Sequence, residues 1–382
     1  NKGKCRVKIL VLDSGMNQTA YLLAELAGAG HQCTIAVPRL PDPRGIGRYA
    51  REIEMPPIES AALRPFVESL LSGESFDVVL PTIEPLQQLV WSLPSPLSSR
   101  VFPAASAQQQ ALIEDRRALY AFVEKLGVPV PRDRPIVGEA DLQSALDEFG
   151  FPCVLRGTQG VAGEQVKICK DATQAQAAYR QLLALSPQPP FVQQYLDGRR
   201  SLIGGLFSKG RMLQFFSQTT IEACPAPAGP SVRVRSLRDP VLTEHARTIF
   251  EAFAWDGLAC AEFIQLGRGD YRFLEINPRP WAAIQAAHYC GVPLLNDFVG
   301  FLGGRMPPPQ RDFADGIECT LFPAFFTARI RSGAFPRLAD LPAYLQSMRA
   351  APWSEPPLLR SFARLIWWTY DAQRKASSAG AR

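Results

Sequence analysis

The chain has 382 residues and 47% hydrophobic content, enough to bury a large core and more than one ordinary domain holds. Its formal net charge is +5, from 41 lysines and arginines against 36 aspartates and glutamates, so the balance does not ask for nucleic acid as a partner. The three histidines and eight cysteines are scattered, with no pair at zinc-site spacing and no disulfide framework. The first residues are polar, a strand follows, and no apolar run is long enough to span a bilayer. With scattered cysteines this predicts a reducing, cytoplasmic location and no transmembrane segment.

In chain order, Val7–Leu12 reads as a strand, 18–29 as a helix, and Cys33–Val37 and Phe76–Leu80 as further strands. Strand, glycine turn, helix, strand is the opening of a parallel α/β sheet. The turn Asp13–Ser14–Gly15 lacks dinucleotide glycine spacing, but it sits at the carboxyl end of the first strand, where such sheets bind ligands. Ser14 is therefore a candidate substrate contact. Residues 106–127 predict one or two helices, and 141–149 another. Strands follow at 153–156, 165–169 and 191–195, with a helix at 172–185 between the last two. Antiparallel strands are expected at 201–207 and 212–218, a helix at 240–253, strands at 259–266 and 271–276, and a helix at 282–289. After Pro307 the chain reads as irregular, except for a helix over 358–370.

The most informative segment runs from Ala261 to Pro280, AEFIQLGRGDYRFLEINPRP. If Leu266 pairs with Tyr271 across the turn, Glu262 lies opposite Glu275, and Asn277 shares the face of Glu275. Facing carboxylates repel, so a cation belongs between them. Two carboxylates and an amide oxygen are hard ligands that suit Mg²⁺, with phosphate oxygens completing the shell. Arg279 then stands where a terminal phosphate would lie. The apolar neighbours Phe263, Ile264, Phe273, Leu274 and Ile276 set this hairpin apart from two solvated glutamates.

Upstream, Arg156 ends a strand and is followed by Gly157, Gly160 and Gly163. The loop has no Walker spacing and returns into a strand. A glycine hairpin of this kind can close over a triphosphate with its backbone N–H groups, and the Arg156 fork can bind phosphate oxygens. Arg116 and Arg117, at the start of a helix, carry the same chemistry.

Over roughly residues 1–305 these segments resemble the ATP-grasp superfamily, with FLEINPRP as the strongest motif. Asp115-Arg116 and Arg156 are similar to the carbamoyl phosphate synthase and biotin carboxylase branch. The Pro/Gly loop before Ser231 and the EINPRPW ending look like ATP-grasp carboligases of bacterial biosynthetic clusters. The resemblance implies an α/β, more strictly α+β, fold. A doubly wound pre-domain (1–105) is followed by a small lobe with the glycine-rich loop (106–196), a lobe with the metal hairpin (197–305) and a partly helical extension (306–382). It implies ATP and Mg²⁺ as cofactors, with Glu262, Glu275 and Asn277 on the metal and Arg116, Arg156 and Arg279 on phosphates. The backbone around Gln193, Gln194, Tyr195 and Leu196 would hold adenine. The implied activity is phosphorylation of a small-molecule carboxylate to an acyl phosphate that an amine then attacks, in a chain able to form a homodimer. Two positions depart from the family: Gln193-Gln194 stand where an acidic residue usually begins the adenine segment, and Arg199-Arg200 follow Gly198 where a ribose-binding glutamate is common.

Arg233 and Arg235 share a face of a strand and are candidates for a substrate carboxylate, against solvated arginines on an edge strand. His288 is a candidate for the acceptor side, against a packed core histidine. The aromatic, basic C-terminal segment 358–370 is expected to pack on the body, with a membrane-surface or partner-docking helix as the alternative. Three functions compete: a carboxylate–amine ligase, a carbamoyl phosphate synthase-like or carboxylase-like kinase using bicarbonate, and a nucleotide-binding regulatory protein whose catalysis has decayed.

Overall fold

The computed structural model describes residues 6–158, 165–185, 188–224 and 229–379. The first sheet is parallel, in the order β3-β2-β1-β4. It holds β1 (Lys8–Leu12), β2 (Gln32–Val37), β3 (Arg51–Glu54) and β4 (Val78–Pro81), with α1 (Asn17–Gly28) and α2 (Leu63–Gly73) as crossovers. β1 reads as a continuous apolar run because parallel strands are covered on both faces, and Ile9, Leu10, Val11 and Leu12 are fully buried. The sequence reading missed β3, whose REIE carries one apolar residue in four. Its partner is β2 alone, an edge position that tolerates charge. α3 (Glu84–Trp91) starts just after β4.

Two helices link this sheet to the next, α4 (Ala107–Glu114) and α5 (Arg116–Lys125). Ser106 and Gln109 form a reciprocal capping box on α4, and Asp115 caps α5 by accepting from the Arg117 and Ala118 N–H groups. The cap residue between them explains why 106–127 breaks into two helices.

The small sheet is antiparallel, in the order β5-β8-β6-β7. It contains β5 (Asp133–Pro135), β6 (Cys153–Arg156), β7 (Val166–Cys169) and β8 (Phe191–Gln194), backed by α6 (Glu139–Phe149) and α7 (Ala172–Leu185). The large sheet has six strands, in the order β13-β12-β9-β10-β11-β14. These are β9 (Arg199–Ser208), β10 (Arg211–Ala223), β11 (Ser231–Ser236), β12 (Gly257–Gly267), β13 (Asp270–Asn277) and β14 (Glu318–Thr320). α8 (Pro240–Ala252) covers one face through Leu242, Ala246, Ile249 and Phe250, which join Ile203, Phe207, Ala261 and Phe263 in one core. On the other face, Leu206, Phe216, Leu258 and Cys260 share a core with Ile9, Val11 and Leu22 of the parallel-sheet unit.

α9 (Gln285–Tyr289) is shorter than the helix expected over 282–289, and α10 (Leu294–Leu302) follows it. The stretch after Pro307 is more ordered than its prolines suggest: β14 joins the large sheet, and α11 (Ala324–Arg331), α12 (Leu341–Arg349) and α13 (Pro356–Ala379) follow. α13 extends past the predicted 358–370 at both ends. No helix among the described residues is long and apolar enough to cross a membrane.

Candidate active site

The hairpin β12–β13 brings Glu262 directly opposite Glu275, by a route the sequence did not show. Near the turn the partner of Tyr271 is Gln265, not Leu266, so the ladder is one residue out of the expected phase. A second irregularity between Glu262 and Phe263 restores the phase, leaving the two glutamates paired. Such bulges re-aim side chains next to functional sites. The Asn277 Nδ2 group donates to Glu262 Oε1 at 3.1 Å and to Glu275 Oε1 at 3.4 Å, so all three side chains converge.

Cations close in from three elements. Arg116, the first residue of α5, donates from Nη1 to Glu275 Oε2 at 2.6 Å. Arg156, at the end of β6, puts Nη2 3.9 Å from the same oxygen. Arg279, just past β13, pairs with Glu84 at the start of α3, at 2.6 Å. The small sheet, the large sheet and the parallel sheet therefore meet here. Gln87, one turn into α3, donates to the Pro278 carbonyl at 2.8 Å and fixes the chain between Asn277 and Arg279. Glu84 and Gln87 were missed in the sequence. Glu84-Pro85 follows a parallel strand at its carboxyl end, the signal that could have found them.

Arg156 is held by Tyr120 and Gln193: its Nη1 donates to the Tyr120 hydroxyl and to Gln193 Oε1, both at 3.2 Å, and Gln193 Nε2 donates to Tyr120 at 3.0 Å. The Gln193 side chain thus works inside the protein. The segment Gln193, Gln194, Tyr195, Leu196 links the small sheet to the large one. The Gln194 N–H is taken by the Arg132 carbonyl. At the glycine loop, the Gly157 N–H bonds the Gln165 carbonyl and the Arg116 N–H bonds the Thr158 carbonyl, which ties the base of the loop to α5. Gly160 and Gly163 lie outside the described residues.

The two central carboxylates are in opposite electrostatic states. Burial, and then Glu275, push Glu262 up to about 7. Burial acts upward on Glu275 too, but Arg116 and Arg156 outweigh it and pull that group down to about 2. Arg156 is itself lowered, by burial and then by Arg116 beside it. Four polar atoms here are buried without a hydrogen-bond partner: Arg156 Nε, Arg279 Nε, Glu84 Oε2 and Gln87 Oε1. Bare polar groups of this kind are costly in a purely structural cluster and point to a ligand. Among the described residues no three His, Cys, Asp or Glu side chains form a metal cluster. The donor set is instead two carboxylates and one amide. Its crowded negative charge and partly exposed mouth, with the Glu275 side chain 30% accessible, fit a hard divalent cation.

Other candidates lie elsewhere. Arg233 and Arg235 are not on an edge: β11 pairs with β10 on one side and β14 on the other. Across the sheet Arg235 aligns with Thr219, Ser201 and Phe263, which puts it on the face opposite Glu262. Both arginines are ion-paired, Arg233 with Glu222 and Glu318, Arg235 with Glu318. His288 is neither in the core nor in the site; it is exposed at the end of α9. Ser14 is half-buried beside Asp13, and Asp13 serves the fold: it is fully buried, pairs with Arg44 at 2.8 Å and accepts from the Thr19 and Thr82 hydroxyls. A cavity of about 310 Å³ lined by Asp297, Arg305 and Arg311 is formed by α10 and the loop after it, and none of the site residues lines it.

Residues 113–283 match the family model described as an ATP-grasp domain. The phosphoribosylamine–glycine ligase of Leifsonia xyli is 31% identical over 50% of this chain and 44% of its own length. The carbamoyl phosphate synthase large chain of Thermomicrobium roseum is 26% identical over 57% of this chain and 21% of its own. The chain thus spans less than half the length of these curated relatives. A solved structure of N5-carboxyaminoimidazole synthetase from Staphylococcus aureus, complexed with ADP, is similar in fold, with a TM-score of 0.64, 14% identity and 82% coverage of both chains.

Proposed function

We propose, from the match of residues 113–283 to the ATP-grasp domain model, that the chain is an ATP- and magnesium-dependent ligase joining a small carboxylate to an amine. The observation that carries this reading is the convergence of Glu262, Glu275 and Asn277 on one point, ringed by Arg116, Arg156 and Arg279. Glu262, Glu275 and Asn277 would hold Mg²⁺; a half-turn of the Asn277 amide presents its oxygen. Bound there, the ion would neutralise phosphate charge.

In this reading the arginines bind and orient the triphosphate. A carboxylate oxygen of the acid attacks the terminal phosphorus, the bond to the bridging oxygen breaks, and ADP leaves. The amine nitrogen then attacks the acyl carbon, the acyl–phosphate C–O bond breaks, inorganic phosphate leaves, and the amine proton passes to solvent. No protein nucleophile is needed. The chain's contribution is positioning and fixed positive charge. Arg279, tied to Glu84, is the group best placed to steady the transferring phosphoryl. The segment Gln193–Leu196 joins the small sheet to the large one, and in this reading it would hold adenine.

Phosphate release against panels of acids and amines tests this. ADP formation that requires both an acid and an amine is the expected result. Release that needs only bicarbonate would favour a carbamoyl phosphate synthase-like or carboxylase-like kinase. ATP binding without turnover would make the chain a regulatory protein.

A further inference from the structure

We propose that the outward face of α13 is a docking surface for an anionic lipid bilayer. The inner face of the helix is accounted for: Leu358 and Phe362 are buried, Leu365 and Ile366 pack on the main core, and the Phe362 ring lies 4.9 Å from Tyr21. The outward face exposes large aromatic rings where water should favour polar groups alone. Trp367 is 61% exposed and Trp368 43%, while Tyr370, at the side of the helix, has its ring 6.2 Å from Phe335. Cations are interleaved with these rings. At about 100° per residue, Arg360, Arg364, Trp367, Trp368, Arg374 and Lys375 fall within one arc of about 120°. The described carboxylate among them is Asp371, paired with Lys375 at 2.6 Å and Arg374 at 3.4 Å. Arg39, from the loop after β2, adds a further cation 5.9 Å over the Trp368 ring.

The interleaving selects the occupant. The centre of a protein interface gathers aromatic groups and sheds charge, whereas here each indole has a guanidinium or ammonium within a turn. A headgroup layer accepts both at once: cations meet phosphates while indole and phenol rings settle at the polar–apolar boundary. The helix would lie on the surface, since no helix among the described residues is built to cross.

The test is flotation of the full chain with phosphatidylcholine–phosphatidylserine vesicles and with phosphatidylcholine alone, together with sedimentation of the free chain. Binding to the charged vesicles that weakens with salt is expected. Each cation at a charged surface is worth about fivefold in partition, so R360Q/R364Q should weaken binding about 25-fold, and W367S/W368S should abolish it. These side chains are exposed, so circular dichroism should show an unchanged fold. No binding to charged vesicles at low salt, or binding unaffected by W367S/W368S, overturns the proposal. A dimer that W367S/W368S dissociates, without vesicle binding, overturns it in favour of a second copy of the chain.

Discussion

Arg279 and Glu84 meet at 2.6 Å across the boundary between the large sheet and the parallel sheet. Both side chains are largely buried, at 14% and 19% accessibility, and each keeps one polar atom without a partner. The pair joins the residue expected to face the terminal phosphate to an element whose sequence has no nucleotide signature.

Glu84→Gln should therefore act on chemistry as well as stability. Removing one member of a partly buried pair costs about 1–3 kcal/mol, read as a lower urea midpoint. Phosphate release should fall at saturating ATP, because Arg279 loses its aim. Unchanged turnover with lowered stability would limit Glu84 to a structural part.

Glu275→Gln removes the charge that two arginines converge on and one of the hard ligands. ADP formation should drop by at least about a hundredfold, the scale of losing a preorganised electrostatic group, while the melting temperature stays within a few degrees. Asn277→Ala should raise the Mg²⁺ concentration needed for half-maximal rate. Normal rates in either variant would remove these residues from the site.

The pH dependence follows from Glu262. Its folded value, about 7, lies above the ordinary carboxylate value of 4.5, because burial and Glu275 disfavour its charge. The folded chain then holds a proton that the unfolded chain releases, so stability falls as pH rises from 4.5 to 7. Mg²⁺ must displace the same proton. Its affinity should weaken about tenfold per unit below pH 7 and level off above it. Titration calorimetry at pH 6 and 8 measures this, and equal affinities would exclude Glu262 as a ligand.

Gly204 sits on β9 beneath Trp281, and a Cβ there would come within 2.3 Å of the indole ring. Gly204→Ala should cost about 1–3 kcal/mol by overpacking. It should also lower activity, because Trp281 follows Pro280 and Arg279 directly. Denaturant unfolding alongside phosphate release reads both effects, and an unchanged midpoint would mean that the ring has room to move.

The strands, the helices and the facing glutamates were legible because each depends on residues close in sequence: apolar runs, caps, glycine turns and a hairpin. Even there, Glu262 met Glu275 through two compensating irregularities rather than the simple ladder. β3 and β14 were not legible, since their few residues follow no apolar pattern and pair only because a sheet edge is present. Arg233 and Arg235 show the same limit from the other side. Alternation put them on one face, but which face of the large sheet could be known only from the register of four strands.

The chain's own order of residues determined the elements and the chemical inventory of the candidate site: two carboxylates, an amide and three guanidiniums, each at the end of an element or on a hairpin. Tertiary structure alone decided that Arg116, Arg156 and Arg279, from residues more than a hundred positions apart in two cases, surround one point, and that Glu84, Gln87 and Tyr120 hold the groups around it. The reason is physical. Local propensity acts over a few residues, whereas charge placement depends on how three sheets pack, and it is their buried faces that set the distances between these groups.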